Sequence, residues 1–173
     1  MTVLGLAVEK LRAVFSPSHA NPPLGGGTDD VYLLAGDTVV PPPWLVGDDE
    51  DTSCEGCGPY LWVRLARRWR TERFPVEAVV GKCGTSKAIT IEAGIARCHP
   101  LDGTLAELEH HAAVQWDDSH RIDAALCAAM KAAKAADVIT EYGLGAGVPV
   151  GPEGLVAVWL QPAYVELNPD KRS

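Results

Sequence analysis

Cysteine spacing is the first feature of the sequence that could support chemistry. Cys54 and Cys57 are separated by two residues, as in one half of a zinc knuckle, and Cys83 with either Cys98 or His99 could complete four ligands. Structural zinc sites usually combine two such close pairs, whereas the second half here is scattered over predicted strands. We therefore expect no metal and no other cofactor, and zinc at Cys54, Cys57, Cys83 and Cys98 is the minor alternative.

The number of cysteines and the start of the chain indicate the compartment. There are five cysteines, an odd number. Residues 1–15 place Glu9, Lys10 and Arg12 inside an apolar pattern and lack the basic start of a signal peptide. The sequence therefore predicts folding in a cytoplasm, with free thiols rather than a disulfide framework.

The remaining polar motifs do not match a catalytic pattern. His110, His111 and His120 lie among acidic residues of a predicted helical region, without the His-Glu-x-x-His spacing of zinc enzymes, so we interpret them as part of a solvated face. The sequence has neither a Gly-x-Ser-x-Gly elbow nor a Gly-x-x-x-x-Gly-Lys phosphate loop. The glycine run at 143–147 lacks the strand–helix context of a dinucleotide loop. The sequence predicts a protein that is not an enzyme.

A basic strand is the most informative polar pattern. In a predicted strand over 60–70, alternation places four interface candidates on one face: Trp62, Arg64, Arg68 and Arg70. An acidic run that could pair with them precedes the strand: Asp48, Asp49, Glu50 and Asp51. The acidic helix surface at Asp117 and Asp118 is a second candidate partner. Arg and Trp are enriched where subunits meet, so this face predicts an interface. The alternative is an exposed sheet face whose salt bridges contribute little.

Composition excludes two classes of partner. The 173 residues include 23 acidic and 15 basic side chains, for a formal net charge of −8. Binding to a phosphate backbone depends on clustered Lys and Arg, so specific nucleic-acid binding is not expected. No segment approaches the roughly 18 apolar residues that a membrane span needs, so no membrane partner is expected either. With 47% hydrophobic residues, the chain can form a substantial core.

The N-terminal third combines a helix with an irregular segment. Apolar residues at helical spacing predict a helix over 2–15, which Ser16 and Pro17 end. From 16 to 58, proline pairs, glycine runs and acidic residues interrupt every periodicity except a short predicted strand at Val31–Leu34. We interpret this segment as an extended arm that lies on a neighbouring subunit, or else as a poorly ordered surface loop.

The rest of the chain predicts a sheet with helices. Alternation predicts strands over 60–70, 88–98 and 155–167, and Pro162 implies that the last is an edge strand or contains a bulge. Thr104 and Glu107 form a capping box, and a break near 117–119 precedes a second helix whose apolar stripe runs from Ile122 to Ala133.

These elements define the expected architecture. The fold class is α+β, with a small mixed or antiparallel sheet of about four strands and helices packed on one face. The expected divisions are an N-terminal helix and arm over 1–58, a core domain over 59–168 and a short tail over 169–173.

Five motifs in order resemble one protein family: Trp62-Val-Arg64, Phe74-Pro75, Ile91-Glu92-Ala-Gly94-Ile-Ala-Arg97-Cys98-His-Pro100, Arg121-Ile-Asp123-Ala-Ala-Leu-Cys127 and Gly151-Pro152-Glu153-Gly154. Together they are similar to the tail terminator, or tail completion, proteins of long-tailed actinobacterial phages, over about residues 54–168. The resemblance implies a small α/β sandwich that forms a homohexameric ring, caps the tail tube and joins it to the head. It implies no catalytic residues.

The resemblance also implies partners and a location. The expected partners are copies of the chain itself, the tail tube protein, and neck or head-completion proteins, with DNA passing through the ring lumen without specific recognition. The expected location is the tail–neck junction of the virion, after assembly in the host cytoplasm. The alternatives are another head–tail connector ring protein (head completion or stopper), a zinc-stabilised binding module, and an enzyme of unfamiliar type.

Overall fold

A computed structural model of the chain describes residues 2–36, 58–80, 82–100, 102–153 and 155–170. Within these ranges there are two helices and six strands. In chain order they are α1 (Val3–Phe15), β1 (Val31–Leu34), β2 (Tyr60–Thr71), β3 (Ser86–Cys98), α2 (Leu105–Ala135), β4 (Ile139–Leu144), β5 (Val148–Glu153) and β6 (Val156–Leu167).

Helix α1 forms where the apolar spacing predicts it. The Thr2 hydroxyl accepts a hydrogen bond from the Gly5 backbone N–H at 3.1 Å and caps the first turn. Leu11 and Phe15 are fully buried, and the helix ends at Ser16, whose backbone is extended. Because α1 packs against α2 and the sheet, the N-terminal helix and the sheet share one hydrophobic core.

The six strands form one mixed sheet with the order β1–β2–β3–β6–β4, and β5 also pairs with β6. Only the β1–β2 pair is parallel among the described strands. The α+β class is therefore confirmed, but the expected number of about four strands is too low. The prediction missed β4, which runs into the glycine-rich stretch at 143–147, and β5, whose sequence, Val-Pro-Val-Gly-Pro-Glu, combines strand-breaking residues with little alternation.

Strand β6 is central rather than at an edge, so the expectation based on Pro162 is wrong. It pairs with β3 on one side and with β4 and β5 on the other. The Pro162 carbonyl accepts from the Gly145 N–H at 2.8 Å, so the proline nitrogen faces the side where β4 ends and β5 has not begun. The missing N–H therefore falls at an interruption of the ladder, where a proline costs little.

Helix α2 begins with the predicted capping box but continues through the predicted break. Thr104 N–H donates to Glu107 at 2.6 Å, and Glu107 N–H donates to the Thr104 hydroxyl at 3.4 Å. The polar residues at 117–119 do not end the helix because their side chains bond within the chain; Ser119, for example, donates to the Trp116 carbonyl at 2.7 Å. The apolar stripe is buried as predicted: Ile122, Ala125, Leu126, Ala129, Met130 and Ala133.

Both helices pack on one face of the sheet, as expected. Ile89, Ile91 and Ile95 of β3 point to that face and join the main core. The other face carries a smaller apolar cluster that includes Tyr60 and Trp62. None of the described helices is long and apolar enough to cross a membrane.

Residues 16–36, the first half of the predicted arm, lie against their own chain. Arg12 donates to the Asp29 carbonyl at 2.8 Å, Arg121 donates to the Pro22 carbonyl at 3.1 Å, and Leu24 N–H donates to Asp117 at 3.0 Å. Contacts with α1 and α2 therefore hold this part of the segment. The rest of the arm, residues 37–57, lies outside the described residues.

Candidate functional site

A β-bulge between Leu65 and Arg67 divides the predicted arginine face. Before the bulge, Arg64 pairs with Glu92 and lies on the face opposite the helices. After it, Arg67 pairs with Thr90 on that same face, whereas Arg68 pairs with Ile89 and points to the helix side. One additional residue in β2 exchanges the two faces for every following position. The prediction that Arg64, Arg68 and Arg70 form one stripe is therefore wrong.

The local contacts of the predicted interface residues also differ. Trp62 is only 1% exposed, so it belongs to the fold and not to a free surface. Arg64 forms a salt bridge with Glu92, with Nε and Oε1 2.6 Å apart. Arg70 donates to the Thr85 carbonyl at 3.2 Å and thereby supports the β2–β3 loop. Arg68 is exposed and forms no ion pair with another described residue, so it is the predicted arginine best placed for a partner.

Two acidic segments were predicted to pair with the arginine face, namely the run at 48–51 and the helix surface at Asp117 and Asp118. The run at 48–51 lies outside the described residues. Asp118 is 2% exposed and accepts two hydrogen bonds from Arg97, at 2.6 Å and 2.8 Å, so the expectation that it faces another subunit is wrong. Burial raises the pKa of Asp118, and the Arg97 guanidinium opposes that effect. Asp117 is occupied by Arg121, with Oδ2 and Nε 2.7 Å apart.

Of the candidate zinc ligands, the two described cysteines, Cys83 and Cys98, lie at opposite ends of β3. Cys98 is disulfide-bonded, so it cannot serve as a thiolate ligand, and the expectation of free thiols is wrong for this residue. Cys83 is an exposed free thiol in the β2–β3 loop, at the opposite end of β3. Cys54 and Cys57 lie outside the described residues. Among the described residues, His, Cys, Asp and Glu side chains form no cluster of three or more that could hold a metal ion.

A cavity of about 220 Å³ lies between the start of α2, the end of β3 and the β5–β6 hairpin. Its lining includes His99 and His111, whose ring centroids are 5.1 Å apart. His99 Nδ1 lies 3.0 Å from the Pro100 carbonyl and donates to it. Sequence reasoning singled out His111 but not its pairing with His99, because 12 residues separate them and no local pattern links them.

The lowered pKa of His111 makes stability sensitive to acid. Burial, and then the nearby His99 and His110, lower the pKa of His111, while Glu107 opposes and Arg97 reinforces this shift. Because the unfolded chain then binds a proton more readily than the folded one, stability falls as pH drops through about 6.5. We expect His111→Gln to lose less stability than wild type between about pH 7.5 and 5.5, in urea unfolding at both values. The exposed His19→Gln variant is the control, and equal pH dependence of all three proteins would contradict this assignment.

The two ends of the sheet carry opposite charge. Residues 64–87, around the β2–β3 loop, contain seven Lys or Arg and two Glu, a net charge of +5. Residues 102–120, in the first half of α2 and the turn before it, contain five acidic residues; Asp117 and Asp118 are paired with Arg121 and Arg97, which leaves Asp102, Glu107 and Glu109 as the exposed acids. The contact between His99 and His111 places this acidic segment at the Cys98 end of β3, whereas the basic loop precedes Ser86 at the other end. The exposed charges are therefore mainly basic at the loop end of the sheet and acidic at the end where α2 begins.

The features described above are mainly charged surfaces. The described residues around the cavity include no serine, threonine or free thiol. Comparison of the sequence with protein-family models and with curated proteins gives no match.

Proposed function

We propose that this chain is the subunit of a homohexameric phage tail terminator, a ring that caps the tail tube and joins it to the head and neck. Its partners are other copies of the chain, the tail tube protein, and neck or head-completion proteins. In this proposal it is a virion component of the tail–neck junction, assembled in the host cytoplasm. It carries out no catalysis, and DNA passes through the ring lumen without sequence recognition.

The opposite charges at the two ends of the sheet are the observation that carries this proposal. A closed ring is built from a heterologous contact, in which one patch meets a different patch of the next subunit. The exposed basic residues within 64–87 and the exposed acids Asp102, Glu107 and Glu109 provide two different and complementary patches on one chain. Complementary charge favours association and fixes which surfaces meet, so repeated head-to-tail contact is expected.

The resemblance to tail terminators adds the biological setting. Several motif residues that carry it make contacts within the fold: Arg64 of β2 pairs with Glu92 of β3 at 2.6 Å, and Arg97 of β3 pairs with Asp118 of α2 at 2.6 Å. Asp123, at the centre of another motif, accepts from Gln161 of β6 at 2.7 Å.

The proposal is tested by measuring the mass of the assembly and by imaging the ends of tail tubes. Native mass spectrometry of the purified chain, alone and with tail tubes of the cognate phage, is expected to show six copies, and electron microscopy is expected to show rings at tube ends. Raising the salt from about 0.1 to 0.5 M should weaken the ring because exposed charge pairs are screened. Arg68→Glu should also weaken it, whereas Lys131→Glu on α2 should not.

Two outcomes would overturn the proposal. A chain that stays monomeric at high concentration and in the presence of tubes is not a tail terminator. A ring that binds filled heads but not tubes would instead indicate the head-completion or stopper alternative.

A further inference from the structure

The first half of α2 carries an exposed apolar stripe. Leu105 is 73% exposed and Trp116 is 70% exposed, and Leu108 and Ala112 are also exposed between them. Steps of three, four and four residues place these side chains on one line along the helix. A soluble helix normally turns such a line towards a core, so a continuous exposed stripe indicates a surface that another molecule covers.

The β2–β3 loop carries a second exposed apolar group at the basic end of the sheet. Val79 and Val80 are 99% and 87% exposed, and Val76 is also exposed. The loop is held in place, since Ala78 N–H donates to the Arg70 carbonyl at 2.9 Å and Arg67 forms a salt bridge with Glu77. These contacts fix the backbone directly before the two valines, which reduces the entropy lost on binding.

The two apolar surfaces cannot meet within one chain. Strand β3 has 13 residues and separates them by about 40 Å at roughly 3.3 Å per residue. The exposed charges beside the two surfaces differ in sign: Asp102, Glu107 and Glu109 are exposed in the segment of the stripe, whereas the segment of the valines exposes mainly basic residues, among them Arg68, Arg73, Lys82 and Lys87. A second copy of the chain therefore offers each surface an apolar partner of complementary charge.

We infer that the α2 stripe of one copy packs against the β2–β3 loop of the next. Leu105, Leu108 and Trp116 cover Val79 and Val80, and the acidic residues beside the stripe face the basic residues beside the loop. The inference rests on the proposed ring, for which it names the repeating contact. The contact is head-to-tail, because every subunit uses its stripe towards one neighbour and its loop towards the other.

The exposed thiol of Cys83 in the loop makes this contact testable by cross-linking. Leu108→Cys adds a thiol to the stripe, so each copy carries one reactive group on each proposed surface. Mild oxidation is expected to link chains into a ladder of dimers, trimers and larger species up to six, which reductant reverses. Adding Cys83→Ser should abolish the ladder. Lys131→Cys, at the far end of α2, is the matched control and should give none.

A stripe variant tests the same contact without a cross-link. Trp116→Ala should raise the dissociation constant of self-association by at least about tenfold, since a buried Trp is a frequent interface hot spot. Lys131→Ala should leave it unchanged, and circular dichroism checks that both variants fold.

The outcomes separate this inference from the proposed function. Dimers alone on oxidation, or unchanged association of Trp116→Ala, would overturn the stripe-to-loop contact even if wild type still forms rings that cap tubes. Conversely, a full ladder from rings that ignore tail tubes would support the contact and overturn the tail-terminator role. If Trp116→Ala rings form normally but no longer bind tubes, the stripe faces the tube protein and the inferred contact is wrong.

Discussion

Asp118→Ala is expected to lower the free energy of unfolding by about 3–5 kcal/mol, the usual cost of removing one partner from a buried ion pair. The Asp118 and Arg97 side chains are only 3% and 12% exposed, and Nε and Oδ2 are 2.6 Å apart. Without the carboxylate, the Arg97 guanidinium stays buried with only carbonyls as partners. It donates to the carbonyl of Gly25, and to that of Gly26 at 3.1 Å, so residues 16–36 should loosen as well.

Urea unfolding measures this effect, and two further variants sharpen it. Asp102→Ala changes an exposed acid near the start of α2 and should be nearly neutral. The double variant Arg97→Met with Asp118→Leu should lose less stability than the two single changes together, because no charge is left buried alone. A loss below about 1 kcal/mol for Asp118→Ala would show that solvent reaches the pair and that it does not anchor the N-terminal segment.

Gly94→Val is expected to destabilise the protein by about 3 kcal/mol, at the upper end of the usual cost of overpacking. Gly94 lies in the centre of β3, opposite Trp62 on one side and Leu160 on the other. A β-carbon there would overlap the Trp62 ring and lie 2.7 Å from Leu160 Cδ2. Because Trp62 is only 1% exposed, its ring cannot move away without disturbing the apolar cluster on this face of the sheet.

Gly143→Val is a matched control for the effect of valine in a strand. Gly143 lies in β4, and a β-carbon at this position would meet nothing within 4 Å. It should therefore change stability little. Thermal unfolding of both variants, followed by tryptophan fluorescence, distinguishes the two sites. Equal stability of the two variants would contradict the prediction that a side chain at position 94 clashes with the Trp62 ring.

Local pattern alone determined much of the architecture. The spacing of Leu11 and Phe15, the capping box at Thr104 and Glu107, and the stripe from Ile122 to Ala133 all formed the predicted helical elements. Capping and helical amphipathicity connect residues three or four positions apart, so they can be recognised from the sequence. The alternation of β3 predicted its buried face for the same reason, because a strand repeats every two residues.

Tertiary structure alone decided which polar residues reach the surface. One additional residue near Ala66 separated Arg64 from Arg68, since a period of two is reversed by a single insertion. Asp118 became an internal anchor because Arg97, 21 residues away, meets it together with the loop at Gly25. The exposed stripe from Leu105 to Trp116 resembles a buried helix face in sequence. Only the packing of α2 leaves it uncovered, because the sheet and α1 contact other parts of the helix.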